Sequence, residues 1–225
     1  MTWDYGEEGA AVKVFRGQLW RCGQHTFFCG SLLQLSRLTA NLFYCDPPWN
    51  NAITSTFRNN AGYGEEAGLT WQDIYNGIIG LANGRPLFLE GGEKQASEVQ
   101  GMLAAVYPVT QAWPITYSRG ARPCVLHYGG VGAVPGDPSH MDDADTPAWA
   151  MQMYERTYAG SGLVADLTAG RGITSRCAEE QTWPSFNVEL DGRRVSAALV
   201  RLAKMTGDTP KLVRANAEPG TLAAR

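Results

Sequence analysis

Leu163-Val164-Ala165-Asp166-Leu167-Thr168-Ala169-Gly170-Arg171-Gly172, followed by the helical-looking stretch from Ile173 to Gln181, is the segment whose reading decides the fold. The apolar run reads as a buried strand, and two glycines so close together permit a tight turn into the helix. Such a unit lets a ligand approach the backbone and aims helix N-terminal amides at a polar group. Beyond the helix, Ser185-Phe186-Asn187-Val188-Glu189 puts an acidic residue at a strand end. It lies about 20 residues past the glycines, where dinucleotide folds carry a carboxylate that accepts from ribose hydroxyls. A nucleoside-type cofactor is implied. A nicotinamide site fits less well, because Ser175 stands where the third small residue would be and no hydride-transfer partner is evident.

Outward from this unit the chain alternates. Short apolar runs at Asn41 to Cys45, Arg85 to Glu90 and Arg122 to Tyr128 join Leu163 to Leu167 and Ser185 to Val188 as predicted strands. Trp71 to Ala82 sets Ile74, Ile78 and Leu81 on one helical face, Glu93 to Val106 does so with Val99, Met102, Leu103 and Val106, and Asp191 to Met205 with Val195, Leu199 and Leu202. Strands and helices of these lengths predict an α/β fold, an open and mostly parallel sheet with helices on both faces. In such sheets ligands bind beyond the carboxyl ends of the strands.

A second strand end stands out. Asp46-Pro47-Pro48-Trp49 follows the run Asn41 to Cys45. The prolines fix φ and remove two donors, leaving a rigid corner rich in acceptors. An amino group on an aromatic ring has a delocalised lone pair, so a catalyst must hold its hydrogens with acceptors to make it nucleophilic. Asp46 and the Pro47 carbonyl suit that task, and Trp49 offers a flat surface for a base, a stacking worth about 1–3 kcal/mol in nucleic-acid binders. The plainer reading, a strand-terminating turn with a packed tryptophan, stands beside this one.

Composition sets the bounds. A chain of 225 residues suits one domain spanning 1–225, with 213–225 a frayed tail. No run approaches the ~18 apolar residues of a membrane span and no targeting signal is recognisable, so a cytoplasmic protein is expected. Five scattered cysteines without Cys-x-x-Cys spacing and three unclustered histidines read as buried thiols and structural histidines, with no metal site. A net charge of −3 denies the chain the broad basic field expected of a binder of duplex nucleic acid.

These residues resemble the amino-methyltransferases of DNA, in the order of the permuted β-type with the catalytic motif ahead of the cofactor motif. The resemblance implies a Rossmann-like S-adenosylmethionine-dependent methyltransferase fold, with S-adenosyl-L-methionine as cofactor. It makes Asp46, Pro47, Pro48 and Trp49 the catalytic motif, Asp166, Thr168, Ala169, Gly170, Arg171 and Gly172 the cofactor loop, and Glu189 with Leu190 the ribose site. The stretch Gly17 to Gly30 looks like the apolar hairpin of small phage and plasmid members, which brings Cys29, Gly30 and Ser31 to the cofactor. Thr146-Pro147 matches a segment that opens the preceding helix and lines the cofactor pocket, with Thr146 as N-cap.

Ser31 stands where the family has Asp, Thr146 where it has Lys, and Leu167-Thr168 where it has Pro-Phe, which removes an aromatic wall. Asp at the first catalytic position implies adenine N6 as target, in a base flipped out of duplex DNA. Asn50 to Gly68, with Arg58, Asn59 and Tyr63, reads as a polar loop whose Asn50, Arg58, Asn59 and Tyr63 contact the substrate. Only a short loop, Gly129 to Ser139, occupies the place of a target-recognition region, so sequence specificity is expected to be weak or lent by a homodimer or a partner subunit. The rivals are the same chemistry on RNA, on cytosine N4 or on a protein amide, and a degenerate subunit without catalysis.

Overall fold

A computed structural model describes residues 6–62, 69–117 and 122–216. Among the described residues the strands form one nine-stranded sheet in the order β5-β6-β4-β3-β7-β8-β2-β1-β9. At its centre β4 (Leu87–Gly92), β3 (Leu42–Cys45), β7 (Val164–Asp166), β8 (Ser185–Glu189) and β2 (His25–Cys29) run parallel. The edges are antiparallel. On one side β6 (Arg122–Gly130) pairs with β4 and with β5 (Val109–Tyr117), and on the other β1 (Leu19–Cys22) pairs with β2 and with β9 (Lys211–Arg214).

Strand alternation sorts side chains to the two faces. Phe43 and Cys45 of β3 face the layer of α3 (Trp71–Ala82) and α4 (Ala96–Ala104), where Ile74, Tyr75, Ile78 and Leu103 are buried. Leu42 and Tyr44 face the opposite layer, where α5 (Thr146–Tyr158) and α6 (Ile173–Glu180) bury Ala150, Met151 and Cys177. Farther along, α7 (Gly192–Thr206) packs Val195, Leu199 and Leu202 on β1 and β2, and the short α1 (Glu8–Ala11) is tied to it through the Ser196 hydroxyl, which donates to the Glu8 carbonyl. No described helix is long and apolar enough to cross a membrane.

The chain leaves β3 through α3 toward β4 on one side and leaves β7 through α6 toward β8 on the other. The strand order therefore reverses between β3 and β7, and a crevice opens beyond their carboxyl ends. Asp46 follows β3 and Asp166 ends β7, so both chemically conspicuous segments converge on that crevice.

Two sequence expectations need correction, and one strand was not anticipated. Asn50 to Gly68 is not a loop throughout: α2 (Asn51–Asn60) forms there, started by Asn50, whose side chain accepts from the Ile53 amide at 3.0 Å. The helix hid behind Ser, Thr and Asn, which favour turns as readily as helices; Tyr63 and Gly64 lie outside the described residues. Strand β5 was masked by Pro114, which an edge strand tolerates. Val213 and Arg214, assigned to a frayed tail, end β9.

Candidate active site

The glycine turn needs its glycines. Gly170 and Gly172 both have positive φ (53° and 80°), and a Cβ on Gly172 would lie 2.8 Å from that of Ala198 on α7. Asp166, 4% exposed, holds the turn from beneath: it accepts from the Thr168 amide at 2.9 Å and from the hydroxyls of Thr168 at 3.3 Å and Thr174 at 2.6 Å. Burial pushes its carboxyl up to about 6, against these hydrogen bonds. The turn in turn presents the Gly170 amide to Glu189 at 2.8 Å, while the Asp191 amide reaches the other carboxylate oxygen at 2.9 Å. Burial raises Glu189 to about 7, opposed by Arg194 at 3.8 Å.

One cleft of about 560 Å³, open solvent at its mouth included, joins this region to the Asp46 corner. Its lining includes Thr168, Glu189 and Leu190, Gly30 and Ser31, and Asp46 and Pro48. Asp46 and Pro48 of the corner thus line the same cleft as Thr168 and Glu189 beside the glycine turn.

Asp46 itself is half-buried. Burial raises its carboxyl to about 7, with Asp143 and Asp166 adding to the rise, while a hydrogen bond from Trp49 and the charge of Arg194 oppose it. The Trp49 indole N–H donates to Asp46 Oδ1 at 3.1 Å, so Trp49 orients the carboxylate as well as offering a ring. That ring lies edge-on to Tyr117, with centroids 5.0 Å apart, and close against Gly92, where a Cβ would come within 3.3 Å of it. The charge of Asp46 is the main cause that raises the Tyr117 hydroxyl well above its ordinary range, ahead of burial. Trp49 and Tyr117 thus flank Asp46 as an aromatic pair outside the cleft lining.

Other predicted residues are placed differently. Thr146 does not line the cleft and does not cap α5, which begins at Thr146 after Asp145. It is fully buried behind Asp46, with its hydroxyl 2.5 Å from that of Tyr44. Cys29 is buried with its thiol directed to the Leu190 carbonyl, and Arg171 is exposed. Ala169, Gly170 and Gly172 shape the turn from outside the lining, as Asp166 does. Pro47 is buried at the corner. Ser31 lines the cleft and also caps a short 3-10 turn, Leu32–Gln34, with Gln34 completing the box.

Of the expected substrate contacts, Asn50 is a helix cap and Asn59 is exposed on α2. Arg58 is 4% exposed and lines the cleft, because α2 folds over it. Alongside it come residues that sequence reasoning missed: Thr54 and Phe57 of α2, Ile74 of α3, and Arg194 of α7, whose guanidinium sits 4.4 Å above the Phe57 ring. Phe57 supplies an aromatic wall from a different element than the one in which Leu167-Thr168 lacks it. Only the apolar spacing of Ile53 and Phe57 hinted at this.

Two of the three histidines are engaged in structure. His25 joins Ser185 and Glu179 at 2.8 Å each, and His127 meets Gln100 at 3.1 Å. All five cysteines are buried and free of disulfides.

A putative DNA modification methylase from Thermus thermophilus, complexed with S-adenosyl-L-methionine, aligns over 79% of this chain and 93% of its own, at 16% identity and a TM-score of 0.52. Its selenomethionine derivative aligns over 79% and 94%, at 16% identity and 0.50. The chain has the Rossmann-like fold of S-adenosylmethionine-dependent methyltransferases. At such identities the likeness is one of fold. A scan of family models finds no match, and neither does a search of curated proteins.

Proposed function

We propose that this chain is an S-adenosylmethionine-dependent DNA methyltransferase that acts on the exocyclic amino group of a flipped-out base, with adenine N6 as the target. The observation that carries the reading is the shared cleft, lined by Asp46 after β3 and by Glu189 at the end of β8, which the Gly170 amide of the glycine turn holds. The Thermus methylase with the same fold, crystallised with S-adenosyl-L-methionine, supports the choice of cofactor.

The residues present fit that cofactor. Glu189 is fixed by two backbone amides with lone pairs left for ribose hydroxyls, and Phe57, Ile74 and Val188 provide apolar walls for a purine. Bound there, the cofactor supplies an electrophilic methyl group. Asp46 accepts a hydrogen bond from the target amino group through Oδ2, Oδ1 being held by Trp49. The Pro47 carbonyl accepts the second hydrogen. Together they localise the nitrogen lone pair, and Asp46, with its carboxyl near 7, is suited to take the proton that the nitrogen gives up. Trp49 and Tyr117 flank the position of the base.

DNA is the substrate class that accords with the motif and with the fold neighbours. The connection 131–145 leaves no room for a separate recognition domain, so specificity is weak or comes from a second subunit. Tritiated-methyl transfer to DNA, RNA and protein offered separately, with nucleoside digestion to separate 6-methyladenine from 4-methylcytosine, tests the reading. Asp46→Ala should lower transfer roughly a thousandfold or more while leaving cofactor affinity within a few-fold. Full transfer by that variant, or methyl label only in RNA or protein, refutes it.

A further inference from the structure

Behind the Asp46 corner three oxygen-to-oxygen contacts run in line. Glu90 Oε1 meets the Tyr44 hydroxyl, that hydroxyl lies 2.5 Å from Thr146 Oγ1, and Thr146 Oγ1 lies 2.9 Å from the backbone carbonyl of Asp143. Glu90, Tyr44 and Thr146 are all buried. Two oxygens come this close only with a hydrogen between them, so the line needs three hydrogens. Tyr44 and Thr146 carry one each and the carbonyl carries none. With Glu90 ionised the supply stops at two, and one contact sets lone pair against lone pair. With Glu90 protonated it reaches three: Glu90 donates to Tyr44, Tyr44 to Thr146, and Thr146 to the Asp143 carbonyl. The 3.5 Å separation of Thr146 Oγ1 from Glu90 Oε1 is too long to replace any of these links.

The second carboxyl oxygen points the same way. Glu90 Oε2 is buried without a hydrogen-bond partner, and no lysine or arginine among the described residues pairs with Glu90. A neutral acid tolerates that far better than an anion. The groups facing it add to the pressure: Asp46 after β3, Asp166 at the end of β7 and Asp143 before α5 are acidic. Tyr75 of α3, which donates to the Glu90 backbone carbonyl at 2.8 Å, Tyr117 of β5 and Cys124 of β6 bring no positive charge. Burial first, and then Asp46, push the Glu90 carboxyl well above its ordinary range.

We infer that Glu90 is a protonated positioning residue for Asp46, the donor end of a Glu90–Tyr44–Thr146–Asp143 chain that fastens the end of β3 to the first turn of α5. Tyr44 stands two residues before Asp46, so the chain sets the backbone of the catalytic corner. Because Glu90 carries no charge, the ionisation of Asp46 meets one less opposing anion. The positioning role rests on the methyltransferase reading; the proton does not.

Infrared spectroscopy of the full chain tests the proton. At about pH 9, where Asp46 and Glu189 are ionised, a protonated-carboxyl band should persist in the wild type and vanish in Glu90→Gln. Its absence from the wild type overturns the assignment. Methyl transfer to DNA tests the role. Glu90→Ala and Tyr44→Phe should lower kcat roughly five- to tenfold with cofactor Kd unchanged, and Glu90→Gln should recover most of what Glu90→Ala loses, with the acid limb of its pH profile where the wild type has it. A limb displaced downward by a unit or more in Glu90→Gln would mean that an anion had been removed, and wild-type kcat in Tyr44→Phe would mean that the chain positions nothing; either result defeats the proposal. If the wild type transfers no methyl group to any acceptor, the methyltransferase reading and the positioning role fall together, and the infrared band still decides the proton.

Discussion

Two buried glutamates sit on strands of the same sheet, and the fold treats them oppositely. Glu189, at the end of β8, receives two backbone amides and lies 3.8 Å from Arg194. Glu90, in β4, is bound through a line of hydroxyls, with one oxygen unserved and no cation beside it among the described residues. Burial disfavours the charge of both. What surrounds them then decides: donors fixed in the backbone hold a carboxylate ready to accept from a ligand, and hydroxyls that must themselves be supplied with hydrogens favour a neutral acid. One residue is built to receive and the other to donate.

The largest effect expected from breaking this contrast is on cofactor binding. Glu189→Ala should weaken S-adenosylmethionine affinity about a hundredfold in calorimetry, since hydrogen bonds to a charged group are each worth about 1.5–3 kcal/mol. Glu90→Gln should leave that affinity alone. Equal losses in both variants would erase the distinction.

Next comes the turn that supplies Glu189 with its amide. Gly172→Val forces a branched side chain into positive φ and against Ala198, and should destabilise the fold by about 2–4 kcal/mol in thermal or denaturant unfolding.

A subtler separation lies in the pH dependence of stability. Glu189 ionises near its ordinary 4.5 when unfolded and at about 7 when folded. Between those values the folded state holds more proton, so stability falls as pH rises, and the loss is complete above 7. The stability of Glu189→Gln relative to wild type should therefore climb from pH 4.5 to 7 and then level off. For Glu90→Gln the climb should continue beyond pH 7, because the folded carboxyl is raised well above the ordinary range. Parallel curves would show the two sites to be alike.

The smallest effect concerns the residue between them. Trp49→Phe removes the indole donor that opposes the rise of Asp46. The acid limb of transfer, expected near pH 7, should move upward by less than a unit, read from kcat against pH.

Much of this was legible in the residues. The β3, β7 and β8 runs are apolar and short, α3 and α7 carry plain helical stripes, and the resulting alternation admits few architectures. Both strand-end motifs were visible because their chemistry is local: a carboxylate next to two prolines, and two glycines after a strand. Helix α2 escaped because its Ser, Thr and Asn content gives a weak local preference, and β5 because Pro114 argues against a strand wherever an edge position is not yet known.

By itself, then, the sequence determined where acids, prolines and glycines fall relative to strand ends, since backbone conformation and periodicity are properties of neighbouring residues. It could not determine which distant side chains would share those places. That Arg58 and Phe57 turn into the cleft, that Arg194 stacks on Phe57 beside Glu189, and that Tyr44 joins Thr146 and Glu90 across 102 and 46 residues were decided only by the packing of helices on the sheet. Hydrogen-bond supply and desolvation depend on what surrounds a group in space, and those surroundings exist only once the layers have closed.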